Sequence, residues 1–281
     1  MVSSSLSMSS VAIMPKYVFG CNGSIPNSMH MIEEKKFIYI AGHNIVVHNL
    51  DDPLNQQFIP GSDWMDGINR IAVSPGEPVK FVAMCERGKR AQVTILEDLR
   101  KKRIIPDPHL SHEFVTAKQF LSCAFSPKNI AQHLITFSDD MRLIFWQWDT
   151  GKMLTHIDLT VTDSLANPLS FQCSIQSVLT DLVCVVTGTD MYKFMRTPDL
   201  SSFDVHHTQL RPPREGISTD YTCHVWTKDT MQLVVCTAKG DIMLVNHSGE
   251  FQLFIPGAPE GVCIDTILAY SHGFIVGGEG G

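Results

Sequence analysis

The sequence predicts an all-β fold: a β-propeller of about five four-stranded blades plus an incomplete sixth, with a ring not closed within this chain. Three observations predict it. Strand-length apolar runs alternate with short polar turns along most of the 281 residues, and no helix-length apolar run interrupts them. His48, Leu96, Trp146, Met195 and Val245 fall at the same place in successive units, 48, 50, 49 and 50 residues apart. The tetrapeptide FIPG at 58–61 recurs at 254–257, a separation of 196 residues or four steps of 49. Such units, with no helix between them, fit a propeller better than a sandwich or a closed barrel. A single blade cannot bury both of its faces, so it needs a neighbour on each side.

The units read as follows. A Ser-rich tail, 1–15, is expected to be disordered, and Tyr17 to Gly20 is an isolated strand candidate. The first unit has Met29 to Ile32, Phe37 to Ala41, Ile45 to His48 and a last strand closed by Phe58-Ile59-Pro60-Gly61, since proline ends or edges a strand. The second has Ile68 to Ser74, Val79 to Cys85, Val93 to Leu96 and Ile104-Ile105-Pro106. The third has Phe120 to Ser126, Leu134 to Phe137, Leu143 to Trp148 and Met153 to Leu159, with Ser126-Pro127 where the second unit has Ser74-Pro75. The fourth has Ser170 to Ile175, Leu182 to Thr187, Met191 to Met195 and Ser202 to His206. The fifth has Tyr221 to Trp226, Leu233 to Thr237, Ile242 to Val245 and Phe251 to Gly257. A sixth begins at Val262 to Ala269 and Gly273 to Gly278, and its third strand would centre at about residue 295. The sequence thus reads as stopping inside a blade, as a fragment or through an incomplete C-terminus. The corresponding boundaries are 16–62, 63–110, 111–162, 163–212, 213–258 and 259–281. Tyr17 to Phe19 is then the strand that would complete a missing last blade.

One unit spells its repeat type. DDMRLIFWQWDTGK, 139–152, aligns without gaps on the usual ending of a WD repeat, DDGTVRLWDLETGK, and puts Trp146 at the repeat tryptophan. The repeats are divergent: the Asp that usually follows that tryptophan is replaced in all five units, by Asn49, Glu97, Gln147, Arg196 and Asn246. Trp146 is expected in the core, with Trp148 on the same face.

Composition bounds the function. Hydrophobic residues make up 44% and charged residues 18%, as in a globular core, and the net charge of -7 gives no general nucleic-acid footprint. No apolar run approaches the roughly 20 residues that span a bilayer. The N-terminus lacks the basic start and apolar block of a secretory signal. The eight cysteines contain no CxxC pair and mostly fall in apolar runs, so reduced buried thiols are expected.

No catalytic constellation is found. GxSxG, GxxxxGK[ST] and HExxH are all missing, and Asp139-Asp140 is ordinary turn chemistry. The GGEGG at 277–281 has no helix after it to offer a phosphate site. Among twelve histidines, His43 and His48 are separated by a turn, His109 and His112 lie in a Pro-rich loop, and His206-His207 point apart if extended. No metal site and no cofactor is expected. One charge feature stands out: Arg87, Lys89 and Arg90 in a turn, and Arg100-Lys101-Lys102-Arg103 before the outer strand of the same blade. These are either a solvated loop and edge or a contact for an acidic partner.

In order along the chain, KYVFG, AGHNIVVHN, QQFIPGSD, INRIAVSP, VTILEDL, FLSCAFSP, LIFWQWD, VCVVTGTDMYKFMR and AYSHGF resemble the N-terminal propeller of the cilia- and flagella-associated protein 57 family, WD-repeat proteins of motile cilia. The resemblance runs from about residue 16 to 281. It implies a non-enzymatic structural part of the axoneme, associated with assembly or docking of inner dynein arms near the nexin-dynein regulatory complex. The implied location is the cytoplasm and cytoskeleton, in the axoneme of a cilium or flagellum. Members are much longer, with two propellers and a long coiled coil, through which self-association would run. The implied partners are axonemal proteins, tubulin with its acidic tails among them, and neither nucleic acid nor membrane. A general cytosolic WD-repeat adaptor, in a ubiquitin ligase or in trafficking, is the alternative; a propeller hydrolase would need acids or a metal at the channel.

Overall fold

The computed structural model describes residues 16–107, 116–127, 133–159, 171–178, 181–196, 205–212, 217–227, 232–257 and 261–278. The tail 1–15, His109, His112 and residues 279–281 lie outside the described residues, as do the side chains of His206 and His207.

Every described element is a strand, and consecutive strands pair antiparallel into sheets. Sheet 1 holds β1 (Met29–Glu33), β2 (Lys36–Ala41), β3 (Asn44–Asn49) and β4 (Asp52–Pro60). Sheet 2 holds β5 (Gly67–Val73), β6 (Phe81–Arg87), β7 (Gln92–Glu97) and β8 (Arg100–Ile105). Sheet 3 holds β9 (Phe120–Phe125), β10 (His133–Ser138), β11 (Arg142–Gln147) and β12 (Lys152–Asp158). Sheet 4 holds β13 (Gln172–Val178), β14 (Asp181–Thr187), β15 (Met191–Arg196) and β16 (Val205–Leu210). Sheet 5 holds β17 (Tyr221–Trp226), β18 (Leu233–Thr237), β19 (Ile242–Val245) and β20 (Phe251–Ile255). A two-stranded sheet 6 holds β21 (Ile264–Tyr270) and β22 (Gly273–Gly278).

The first strand of each sheet packs against the first strand of the next, from β1 through β5, β9, β13 and β17 to β21. Side chains stitch this series together. Asn69 and Arg70 of β5 donate to the carbonyls of Phe120 and Leu121 on β9. Ser122 accepts from the Cys173 amide, Gln172 accepts from the His224 amide, and the Thr222 hydroxyl donates to the Ile264 carbonyl.

Because the strands of sheets 2 and 3 are covered by a neighbouring sheet on both sides, their two alternating side-chain sets enter two different cores. Val82 and Met84 of β6 join the core between sheets 1 and 2, whereas Phe81, Ala83 and Cys85 join the one between sheets 2 and 3. Ile144 and Trp146 of β11 enter that second core, and Leu143 and Phe145 the next one. The nearly unbroken apolar runs of the sequence are the consequence. The five spaced positions share a strand but not a face: Leu96, Trp146 and Val245 turn toward the core with the preceding sheet, whereas Met195 packs against the core with the following sheet and Phe194 takes the place facing sheet 3. His48, Leu96, Trp146, Met195 and Val245 each lie on the third strand, opposite Phe37, Val82, Leu134, Val183 and Leu233 of the second.

The recurring glycine of FIPG has a steric origin. A Cβ on Gly61 would lie 3.1 Å from the carbonyl of His43, and one on Gly257 would lie 2.8 Å from the carbonyl carbon of Gly240. His43 and Gly240 both belong to the turn between second and third strands, which the last strand of the sheet crosses closely at its end.

Two expectations are corrected. Tyr17 to Gly20 forms no strand; the backbone of Val18 is held by the Gln56 carboxamide of β4, which accepts from its N–H at 2.8 Å and donates to its carbonyl at 3.3 Å. Gly20, with φ of +79°, turns the chain out of extended geometry directly after it. The basic run Arg100 to Arg103 does not precede the outer strand but is most of it. An edge strand faces water, so charge there costs little and discourages pairing with another sheet.

Candidate functional site

The basic residues of sheet 2 divide into two groups. Arg87, Lys89 and Arg90 are exposed at the turn from β6 to β7. That turn is docked on sheet 3 by the amides of Gly88 and Ala91, which donate to the carbonyls of Lys118 and Ala117. Exposed Lys118 therefore joins this group, an addition that its distance in sequence hides. Arg100 stands at the other end of the sheet, paired with Glu97 across the turn from β7 to β8.

Between these ends the strip is partly engaged. Lys101 Nζ leans toward sheet 1 and donates to the Gly61 carbonyl at 3.1 Å. Lys102 is the extra residue of a bulge, with Leu96 opposite Lys101 and Ile95 opposite Arg103. Its ammonium bonds Glu97 at 2.6 Å and lies 5.6 Å and 5.8 Å from the ring centres of Phe81 and Trp148. Lys80 also approaches Glu97, at 3.3 Å. The hydrogen bond from Lys102 is the main reason that the Glu97 carboxyl is held below its usual value. Arg103 lies against Gly151 of sheet 3, and Lys101 to Ile104 with Asp107 border a shallow cleft of about 410 Å³. Arg100 and the turn group are the cations that a partner would meet first.

The repeat positions are structural in their surroundings. Trp146 is fully buried and donates its indole N–H to Thr136 Oγ1 at 2.9 Å. Trp148 is buried too, with its ring 4.8 Å from Phe81, so it closes the joint between sheets 2 and 3. Leu96 and Val245 are buried, while His48 and Met195 are partly so.

Three charged or titratable side chains that sequence reasoning passed over sit deep in the fold. Glu86 accepts from the Ser62 amide at 2.5 Å, the Thr94 hydroxyl at 2.7 Å, the Gln92 carboxamide at 2.8 Å and the Ser62 hydroxyl at 3.2 Å. His224 lies between Ser174 Oγ, 2.5 Å from Nε2, and Thr187 Oγ1, 2.7 Å from Nδ1. Burial pulls its pKa down to about 3, so the imidazole is neutral and too weak a base to activate Ser174. Trp226 donates to the same Ser174 oxygen at 3.0 Å, which makes the group a polar tie between sheets 4 and 5. Arg70 is the third, on the wall of a cavity between the inner strands. Each was visible in sequence only as a polar residue within a largely apolar run: FVAMCER, YTCHVW and INRIAV.

Among the described residues no group of three or more His, Cys, Asp or Glu could hold a metal ion. No described helix is long and apolar enough to cross a membrane.

No protein-family profile matches the chain. It is similar to cilia- and flagella-associated protein 57 of Mus musculus, 28% identical over 248 residues, which covers 86% of this chain and 18% of that protein. It is also similar to cilia- and flagella-associated protein 57 C of Tetrahymena thermophila, 24% identical over 326 residues, covering 94% of this chain and 24% of that protein. The chain thus spans about a fifth to a quarter of the length of these curated relatives. Two solved structures share its fold. "Structure of U3-55K" matches with a TM-score of 0.63 at 13% identity, covering 90% of this chain and 74% of that one. "Crystal structure of RRP9 WD40 repeats" matches with a TM-score of 0.64 at 13% identity, covering 90% and 73%. The fold is that of WD40-repeat proteins.

Proposed function

We propose that this chain is the propeller part of a non-enzymatic interaction scaffold of motile cilia, acting in the axoneme in the assembly or docking of inner dynein arms near the nexin-dynein regulatory complex. The observation that carries the proposal is the similarity to two ciliary proteins from distant organisms across almost the whole chain. The WD40 fold supports it, because a rigid array of sheets offers many loops as contact surface. The chemistry of the deep groups points the same way: Glu86 is saturated by donors and His224 is neutral, so neither is poised for turnover.

Within this reading the sheets are five blades and part of a sixth, in an arc that is open. Leu268 and Ile275 of sheet 6 are exposed by 64% and 60%, as apolar side chains without a neighbouring blade would be. Arg100 and Lys101, with Arg87, Lys89 and Arg90, are the contact for an acidic axonemal partner, tubulin tails included. Lys102 and Arg103 serve mainly to hold the strand on its own fold.

Expression of the tagged chain in multiciliated cells tests the location. Axonemal signal that survives detergent extraction is expected. Diffuse cytosolic signal lost on extraction would favour a general adaptor instead.

A further inference from the structure

Arg70 is only 7% exposed. Its Nε donates to the Leu121 carbonyl at 2.5 Å and its Nη1 to the Asn69 carbonyl at 2.7 Å. These bonds occupy part of the guanidinium's donor fork and leave its charge uncompensated. Among the described residues no carboxylate forms an ion pair with it. The ionisable groups that act on it are the thiols of Cys123 and Cys85, and burial pushes the Cys85 thiol well up, into its neutral form. A cation taken out of water without a counter-charge is strongly unfavourable, and proteins pair such groups.

The cavity beside Arg70 has room for the missing charge. It measures about 330 Å³ and is bounded by the inner strands β5, β9 and β13, by His30 of β1, and by Pro26 and Asn27. Among the described residues no aspartate or glutamate lines it, and burial holds His30 below its usual pKa, toward the neutral form. Three of its neutral polar side chains already accept a hydrogen bond. Ser122 Oγ accepts from the Cys173 amide at 2.8 Å, Gln172 Oε1 from the His224 amide at 2.8 Å, and Ser74 Oγ from the Phe81 amide at 3.0 Å. These groups still have N–H and O–H hydrogen to offer. A buried cation, a donor-rich wall and no acid form the complement of an oxyanion.

We propose that this cavity binds a small oxyanion of the phosphate or carboxylate class, with the Arg70 guanidinium as its counter-charge and Ser122 and Gln172 as neutral donors. The site is independent of the ciliary reading, since it rests on the inner strands alone. Its source is either a free inorganic anion or an acidic side chain inserted by a partner.

The test is thermal unfolding of the 281-residue chain against inorganic phosphate and, in a second arm, a capped tetraglutamate peptide, with chloride holding ionic strength constant. A saturable rise in melting temperature with either probe supports the site, and the arm that gives it identifies the source. Arg70→Met should weaken that response at least tenfold. Gln172→Glu, which keeps an acceptor for the His224 amide and puts a carboxylate on the wall of the same cavity, should raise the melting temperature and weaken the response. No saturable response to either probe, or the same response in Arg70→Met, would overturn the proposal. If Arg70→Met does not fold, an undiminished response in Gln172→Glu overturns it equally.

Discussion

The Nε2 of His224 lies 2.5 Å from the hydroxyl oxygen of Ser174, and this pair joins sheet 5 to sheet 4. Thr187 Oγ1 lies on the other ring nitrogen, and burial disfavours the charged ring, so the imidazole is held neutral between the two hydroxyls. The pH dependence follows. The folded pKa, about 3, is below the unfolded value of 6.5, so above pH 6.5 both states are neutral and this contribution is constant. Between pH 6.5 and 3 the unfolded chain takes up a proton that the folded chain does not. Stability should fall by up to about 1.4 kcal/mol per pH unit in that window. His30, also depressed by burial, adds in the same direction, so comparison with a His224→Gln variant isolates the term. Urea unfolding at about pH 7.5 and about pH 5 should show a smaller pH difference in the variant; an equal difference contradicts the assignment.

Gly257→Ala and Gly61→Ala should both destabilise, for a shared reason. Each Cβ would collide with the second turn of its own sheet, and at Gly61 it would also lie 2.9 Å from Glu86 Oε1. At Gly257 every close neighbour is backbone, so its loss should be the larger, on the order of 2–3 kcal/mol. Denaturation midpoints check the order. Equal tolerance of alanine at both positions would remove the steric account of FIPG.

The two tryptophans of sheet 3 do different work. Trp146→Phe keeps most of the volume but leaves the Thr136 hydroxyl without its indole partner, a loss of about 1–2 kcal/mol. Trp148→Ala removes a buried ring that packs on Phe81 and faces the Lys102 ammonium, and should cost about 3–5 kcal/mol. Chemical denaturation of the two variants separates them, and a cheaper Trp148→Ala than Trp146→Phe would count against the joint between sheets 2 and 3.

Thiol labelling checks the interior. Cys85, Cys173, Cys184, Cys223 and Cys236 are buried; burial raises the Cys173 thiol to about 12 and keeps that of Cys184 protonated. The neighbouring Cys236 and burial raise the Cys223 thiol as well. In the native chain a thiol reagent should modify Cys21 first, with all eight reacting after denaturation. Rapid native labelling of Cys85 or Cys184 would contradict the packing.

Strands were legible in the sequence where both faces are buried. Tyr221 to Trp226, Leu233 to Thr237 and Ile242 to Val245 agree with their elements end to end. Edges were harder, because solvent relaxes the apolar requirement there. The outer strand of sheet 2 is four cations followed by Ile104 and Ile105, and β16 runs Val205–Leu210, several residues past the expected Ser202 to His206. The deep polar ties were not legible at all. Arg70 finds its partner 51 residues away, and His224 finds Ser174 50 residues away, so nothing local announces either bond. Even the 49-residue spacing gives no hint of which polar residue reaches the next sheet.

The central claim, a ciliary scaffold whose basic edge meets an acidic partner, is tested most directly by co-sedimentation of the purified chain with detergent-extracted axonemes. Binding should be saturable and should fall as salt rises, because exposed charges are screened beyond about 10 Å at 0.1 M salt. An Arg100→Glu and Lys101→Glu variant should bind several-fold more weakly, with a stability loss confined to the Lys101 bond to the Gly61 carbonyl, whereas Lys102→Glu should lose stability by up to about 1 kcal/mol through Glu97 and the two rings. Salt-insensitive binding, or binding that the Arg100 and Lys101 reversals leave unchanged, would contradict the role of this edge. No binding to axonemes at any salt would contradict the scaffold itself.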